Sequence, residues 1–141
     1  MRVVHKYRRL ESIPLDHGTG DRLFPVETHT VEAIGNHPGT TVTLLANTLG
    51  VTKGAVSQTL VKLLRKGLVE RRPDPEDAKT IHLHLTKQGK TVFTGHAKFH
   101  ARYDAEVVKA LLELDDSKFM VLRRFMELTE HTLDTYLREL T

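Results

Sequence analysis

Apolar positions along this chain recur at two spacings, and the change from one to the other marks its organisation. Val3, Val4, Tyr7 and Leu10 share one face of an opening helix that ends near Pro14. The stretch Leu15-Asp16-His17-Gly18-Thr19-Gly20-Asp21 reads as a loop from its Gly and Asp content. Val26, Val31 and Ile34 predict a second helix running to about Asn36, closed by His37-Pro38-Gly39. Thr43 is the expected cap of a third helix carrying Leu44, Leu45, Ala46 and Leu49, which Gly50 stops. Thr52 caps a fourth, with Val56, Leu60, Leu63 and Leu64 inside and Gly67 at its end.

The period then drops to two. Residues 68–72 and 80–85 predict a hairpin whose turn is the polar, proline-bearing segment 73–79. Helical spacing returns after Thr86, the expected cap of one long helix over 87–113. Asp115 or Asp116 opens a last helix to about Leu140. There Phe119, Leu122, Met126, Thr129, Leu133, Tyr136 and Leu140 alternate in steps of three and four, a stripe that requires a partner helix. The expected fold is mainly α with a small β-hairpin wing: a winged helix-turn-helix over 26–86, inserted between dimerisation helices at 1–25 and 87–141.

Composition narrows the function. The 141 residues make a single domain, without an apolar run long enough to span a bilayer and without a secretory h-region at the start, which predicts a cytoplasmic protein. There is no cysteine, so disulfides, thiolate zinc sites and thiol redox sensing are excluded. The net charge of +3 is unevenly placed. Nine basic residues between 50 and 90 face only Glu70, Asp74, Glu76 and Asp77, whereas residues 91–141 are net acidic. A basic centre of this kind is the footprint of a module that meets phosphate. Enzyme chemistry has no foothold, for there is no Gly-rich phosphate loop, nucleophile motif or His-Glu-x-x-His.

The turn Leu49-Gly50-Val51-Thr52 joins two short helices in a helix-turn-helix pattern. A recognition helix enters the major groove by its N-terminus, so its early residues must be small or polar. Thr52, Lys53, Gly54, Ala55, Ser57, Gln58 and Thr59 meet that demand, with Lys62 further along. Gln58 has the fork to read adenine, and Ala55 suits a thymine methyl. Arg71, Arg72 and Lys79 on the hairpin would reach phosphate or the minor groove.

Over Leu45–Leu60, then Leu63–Arg71, then Asp74, Asp77 and Leu85-Thr86-Lys87-Gln88-Gly89, the sequence resembles the MarR family of winged-helix regulators. The resemblance runs from about Leu23 to the end. It implies a homodimer built from the first helix and the last two, acting as a repressor on a pseudo-palindromic operator in double-stranded DNA. One departure is in the wing, where the family's Asp-x-Arg is Asp77-Ala78-Lys79; lysine keeps the charge and loses the planar fork.

Nine histidines are an unusual share. His96 and His100 are one helical turn apart and leave one face. That spacing fits either two half-buried, hydrogen-bonded histidines or a chelating pair. The streptococcal zinc-responsive MarR repressors hold zinc with a carboxylate from the first helix, a histidine from the second and a His-x-x-x-His pair on the fifth. The resemblance places these on Glu11, His29, His96 and His100, a competent set for Zn²⁺ or another divalent ion. Their second site does not carry over, since its ligand positions fall on His17, Thr28 and Gly95. His82 and His84 share one side of the hairpin and read as surface histidines near phosphate. The competing reading is a small aromatic or anionic molecule bound among Phe24, His29, Phe93, His96 and His100. A protein-interaction module on the same scaffold is the alternative of another class.

Overall fold

A computed structural model of the chain describes residues 2–77 and 79–140, so Ala78 of the wing lies outside the described residues, as do Met1 and Thr141. The elements run α1 (Arg2–Leu10), β1 (Leu15–Asp16), β2 (Arg22–Leu23), α2 (Pro25–Asn36), α3 (Val42–Leu49), α4 (Lys53–Arg65), β3 (Val69–Pro73), β4 (Ile81–Leu85), α5 (Lys87–Tyr103), α6 (Ala105–Leu112) and α7 (Asp116–Leu140). The chain divides into two compact units between Phe99 and His100, a division that falls inside the continuous helix α5.

In the first unit the core gathers Val31 and Ile34 of α2, Leu45 and Ala46 of α3, and Val56, Leu60 and Leu63 of α4. Leu68, Val69, Leu83 and Val92 close it from the hairpin and α5. These are the positions that helical and alternating spacing select. Val26 and Leu44 depart from the expected inward placement and are more than half exposed.

Local chemistry sets the element ends. Pro25 opens α2, where a missing N–H costs nothing, and the Glu27 carboxylate accepts the Phe24 N–H. Thr41, not Thr43, caps α3: its hydroxyl accepts the Leu44 N–H, and the helix starts at Val42. Thr52 caps α4 as expected, accepting the Ala55 N–H at 3.2 Å. Between them Gly50 turns the chain at φ +65°, a left-handed conformation open to glycine.

The wing is β3 paired antiparallel with β4 in the register Val69↔Leu85 to Pro73↔Ile81. A third segment joins it at the Thr40–Leu83 bridge, where the Gly39 N–H donates to the Leu83 carbonyl at 3.0 Å and the Leu83 N–H donates to the Thr40 carbonyl at 2.8 Å. Helix α5 docks beneath the wing at Gly89, where any Cβ would overlap the Leu68 carbonyl oxygen. It docks on α2 where the Phe93 ring fills the place of a side chain on Gly35.

Two further expectations are corrected. Residues 15–23 form a two-rung hairpin, β1–β2, rather than only a loop. Asp16 folds its tip by accepting from the N–H groups of Gly18, Thr19 and Gly20, which lowers its pKa, the Gly18 bond contributing most. The single helix expected over 87–113 is broken: α5 ends at Tyr103 and α6 begins at Ala105. In the second unit, Asp115 opens α7 by accepting the Lys118 N–H. Helices α6 and α7 bury none of their residues, and neither does α1 of the first unit. Phe119, Phe125, Leu133 and Tyr136 of α7 stay about half exposed or more.

Candidate nucleic-acid interface and histidine cluster

Helix α4 has two chemically distinct faces. Val56, Leu60 and Leu63 point into the core, leaving Lys53, Gly54, Ala55, Ser57, Gln58 and Lys62 exposed. Thr52 is exposed too, with its hydroxyl spent on the cap. Thr59 departs from the expected set of DNA-facing residues. It is buried and its hydroxyl donates to the Ala55 carbonyl at 3.1 Å, which makes it part of the packing face. The helix therefore presents a first turn free of bulky groups, with Gln58 one turn behind it.

On the wing, Arg71, Arg72 and Lys79 are all exposed. Arg72 is bound by its neighbour two residues back, Glu70, through Nε at 3.0 Å and through a second, shorter guanidinium bond. The register puts Arg72 opposite His82 and Glu70 opposite His84, so these four side chains share the face away from the core. His82 ties the wing together. Its Nδ1 lies 2.6 Å from the Gly39 carbonyl and its Nε2 lies 2.7 Å from Asp74 Oδ2. Both partners only accept, so both ring nitrogens donate and the imidazolium form is favoured. The bond to Asp74 and then that to Gly39 hold the His82 pKa above the usual imidazole value, and the same bond to His82 is the main cause lowering Asp74.

The second assembly lies on α2 and α5. His29 comes from α2; His96, buried, and His100, half-buried, stand one turn apart on α5. Ring nitrogens of the three lie within 4.8 Å of one another, the one such group of potential metal donors among the described residues. The His29 and His96 ring centroids are 5.5 Å apart, and His17 meets His96 edge-on at 5.2 Å.

The fold has counterparts in known proteins. Residues 23–79, spanning β2 to the wing, match the model of the MarR family. The chain has a winged-helix fold whose central segment is similar to the MarR family. Over 59 residues it is 44% identical to the HTH-type transcriptional regulator PetP of Rhodobacter capsulatus, a match covering 42% of this chain and 36% of that one. The crystal structure of Streptococcus pneumoniae FabT in complex with DNA covers 99% of this chain and 95% of its own, with 28% identity and a TM-score of 0.66. Lactococcus lactis ZitR, a zinc-responsive MarR family member, shares the fold with a TM-score of 0.69 at 17% identity, covering 94% of this chain and 92% of its own. The matched segments span about half or less of the first curated relatives, 53% of YhjH of Bacillus subtilis and 36% of PetP. These curated relatives are named as transcriptional regulators, not enzymes.

In this chain the carboxylate expected at Glu11 is placed apart from the imidazoles. Glu11 lies exposed in the turn after α1 and belongs to no group of converging donors among the described residues. Two acidic residues that sequence reasoning passed over stand beside the histidines instead. Glu32 of α2 brings Oε2 to 3.4 Å from His96 Nε2. Asp104 Oδ2 makes a short bond with His100 Nδ1, the kind of carboxylate contact that orients an imidazole ring. Helical spacing held a signal for both, since Glu32 follows His29 by three residues and Asp104 follows His100 by four. Of the other proposed pocket residues, Phe93 is engaged with Gly35 and Phe24 is half exposed.

Proposed function

We propose that this protein is a DNA-binding transcriptional repressor of the cytoplasm. It acts as a homodimer on a pseudo-palindromic operator, and a divalent metal such as Zn²⁺ controls its affinity for DNA. The observation that carries the reading is the exposed, small and polar start of α4 beside a basic wing. Lys53, Gly54 and Ala55 let the helix come close to base edges, Ser57 and Gln58 offer hydrogen bonds, and Arg71, Arg72 and Lys79 supply phosphate contacts. No helix among the described residues is long and apolar enough to cross a membrane. The apolar side chains exposed on α1 and α7 support pairing with a second copy, which would set two recognition helices roughly 34 Å apart.

Three converging imidazoles favour a metal over an organic ligand as the controlling species. Neutral imidazole is a good zinc donor, and the Asp104 bond orients one ring as such donors require. A metal held by His29 and His96 ties α2, which leads into the helix-turn-helix, to α5. Linkage then demands reciprocity: if metal strengthens operator binding, operator strengthens metal binding by the same factor. The test measures metal content by native mass spectrometry, with operator affinity before and after chelation. Metal bound by the wild type and lost in both His96→Ala and His100→Ala, with weaker operator binding on chelation, is the expected outcome. Unchanged operator affinity on chelation removes the metal from the regulatory scheme while leaving the DNA-binding reading intact.

A further inference from the structure

One histidine of the wing has its two ring nitrogens committed to two different segments. His82 Nε2 lies 2.7 Å from Asp74 Oδ2 at the wing tip, and Nδ1 lies 2.6 Å from the Gly39 carbonyl between α2 and α3. We infer that His82, in its protonated form, is a positioning residue for DNA binding, which it couples to the uptake of a proton. The inference rests on the DNA-binding reading above and is independent of the histidine cluster on α2 and α5.

A neutral imidazole has one N–H, so it can donate to only one of these two acceptors. The carboxylate forms the stronger, charge-assisted bond and keeps it. Loss of the proton therefore releases the Gly39 carbonyl, which belongs to the loop leading into the helix-turn-helix. Asp74 carries the tie onward, since its Oδ1 accepts the Glu76 and Asp77 N–H groups that fold the tip ahead of Lys79. His82 thus links the entry of α3 to the segment that presents Lys79.

Charge acts in the same direction. Glu70 and Arg72 of β3 share the face away from the core with His82 and His84 of β4, and Asp74 stands at its tip end. Asp77 is spent within the tip, on the Lys79 N–H and the Thr80 hydroxyl. While His82 is protonated, it and Arg72 balance Glu70 and Asp74; once the proton leaves, the face turns net negative and repels phosphate. His84 flanks the same loop, because a Cβ on Gly39 would stand 3.7 Å from its ring and 4.0 Å from His82 Nδ1. His84 and the loop's His37 are the other titratable groups at this contact. The Asp74 bond and then the Gly39 bond raise the His82 pKa, so the clamp is complete below the ordinary value near 6.5 and is lost as pH rises through the folded value. Phosphate beside the ring favours the charged form further, so DNA and proton each strengthen the binding of the other.

The experiment measures affinity for one random-sequence DNA duplex by fluorescence anisotropy from about pH 5.5 to 8.5 at constant ionic strength. Calorimetry in two buffers of different ionisation enthalpy counts the protons taken up. A random duplex suffices, because phosphate contacts carry no sequence information. The wild type is expected to lose affinity as His82 deprotonates, about threefold or more beyond any change in His82→Gln, and to take up a proton that His82→Gln does not. Asp74→Asn removes the charge that holds the proton, so its step should move to lower pH, a shift that a merely structural clamp does not produce. His84→Gln and His37→Gln should keep the wild-type step. Parallel profiles for wild type and His82→Gln overturn the inference, as does an unshifted step in Asp74→Asn or a step that follows His84 or His37 instead. A wild type that binds the duplex at no pH overturns the DNA-binding reading itself.

Discussion

The Lys66 ammonium lies 2.8 Å from Glu27 Oε1, joining the end of the recognition helix to the first turn of α2. The Glu27 side chain is 3% exposed, and its second oxygen accepts the Phe24 N–H, while Lys66 also donates to the Arg22 carbonyl. One pair therefore fixes β2, α2 and α4 together, and the orientation of α4 depends on it.

Lys66→Met should leave a buried carboxylate without its cation, at a cost of about 3 kcal/mol. The double variant Glu27→Gln with Lys66→Met should recover part of that loss, because no unpaired charge remains. Urea unfolding of both measures the difference. Equal destabilisation of single and double variants would show that the ion pair is not what matters at this contact.

Two glycine substitutions should act in opposite directions. At Gly89 a methyl group collides with the Leu68 carbonyl, so Gly89→Ala must displace α5 from the wing and destabilise by about 1–3 kcal/mol. At Gly54 the nearest neighbour of an added Cβ is the Thr52 hydroxyl at 3.8 Å, so Gly54→Ala should stabilise by about 1 kcal/mol through helix propensity. The same methyl stands on the DNA-facing side of α4, and operator binding should weaken while the melting temperature rises.

The wing should tighten at mildly acidic pH. His82 has a raised pKa, so its contribution is complete below the ordinary imidazole value near 6.5 and is lost as pH rises through the folded value. Asp74 is lowered, so its contribution is complete above the ordinary carboxylate value and is lost as pH falls through the folded one. Amide exchange at Asp74, whose N–H donates to the Thr80 carbonyl across the tip, should lose protection as pH rises through the folded His82 value, relative to a His82→Gln variant that shows no such step. Parallel profiles for the two proteins would contradict the clamp.

Gln58→Ala and Arg72→Ala should fail in different ways on DNA. Loss of a bidentate base contact costs about 1–3 kcal/mol at the cognate site and relaxes specificity there. Loss of a phosphate contact weakens all sequences alike and lowers the salt slope by about one unit. Because Glu70 holds Arg72, Glu70→Gln should strengthen binding to random DNA. Fluorescence anisotropy across a salt series, on operator and random duplexes, separates the three.

Elements whose ends are marked by one dominant residue were the legible ones. Thr52 and Gly50 bracket the turn of the helix-turn-helix, and alternation from Ile81 to Leu85 marks a strand, so both were readable from the chain. Thr41 and Thr43 compete for one cap, and only the direction of the preceding backbone, bridged to Leu83, decides for Thr41. The break at Asp104 has no proline or glycine to announce it, and apolar spacing runs straight through it. Thr59 looked like a reader because it is polar, yet a threonine on a helix can satisfy its hydroxyl on the preceding turn and enter the core. Of the expected ligands, fixed helical spacing carries only His96 and His100 together, and His29 reaches them through the packing of α2 on α5. The carboxylate depends on how separate segments meet, which spacing within one helix does not encode.

The Phe93 ring seated on Gly35 gives α2 a fulcrum. With no side chain between ring and backbone, the two helices cannot draw closer there, and a rigid rod pressed at one point answers a pull by tilting. His29 is six residues from Gly35, a lever arm of about 9 Å along the helix. Beyond Gly35 the rod ends at Asn36 and hands the chain to Gly39 and Thr40, which are bonded to the wing strand. A displacement at the histidine end would thus reach the wing reversed in direction, as on a seesaw.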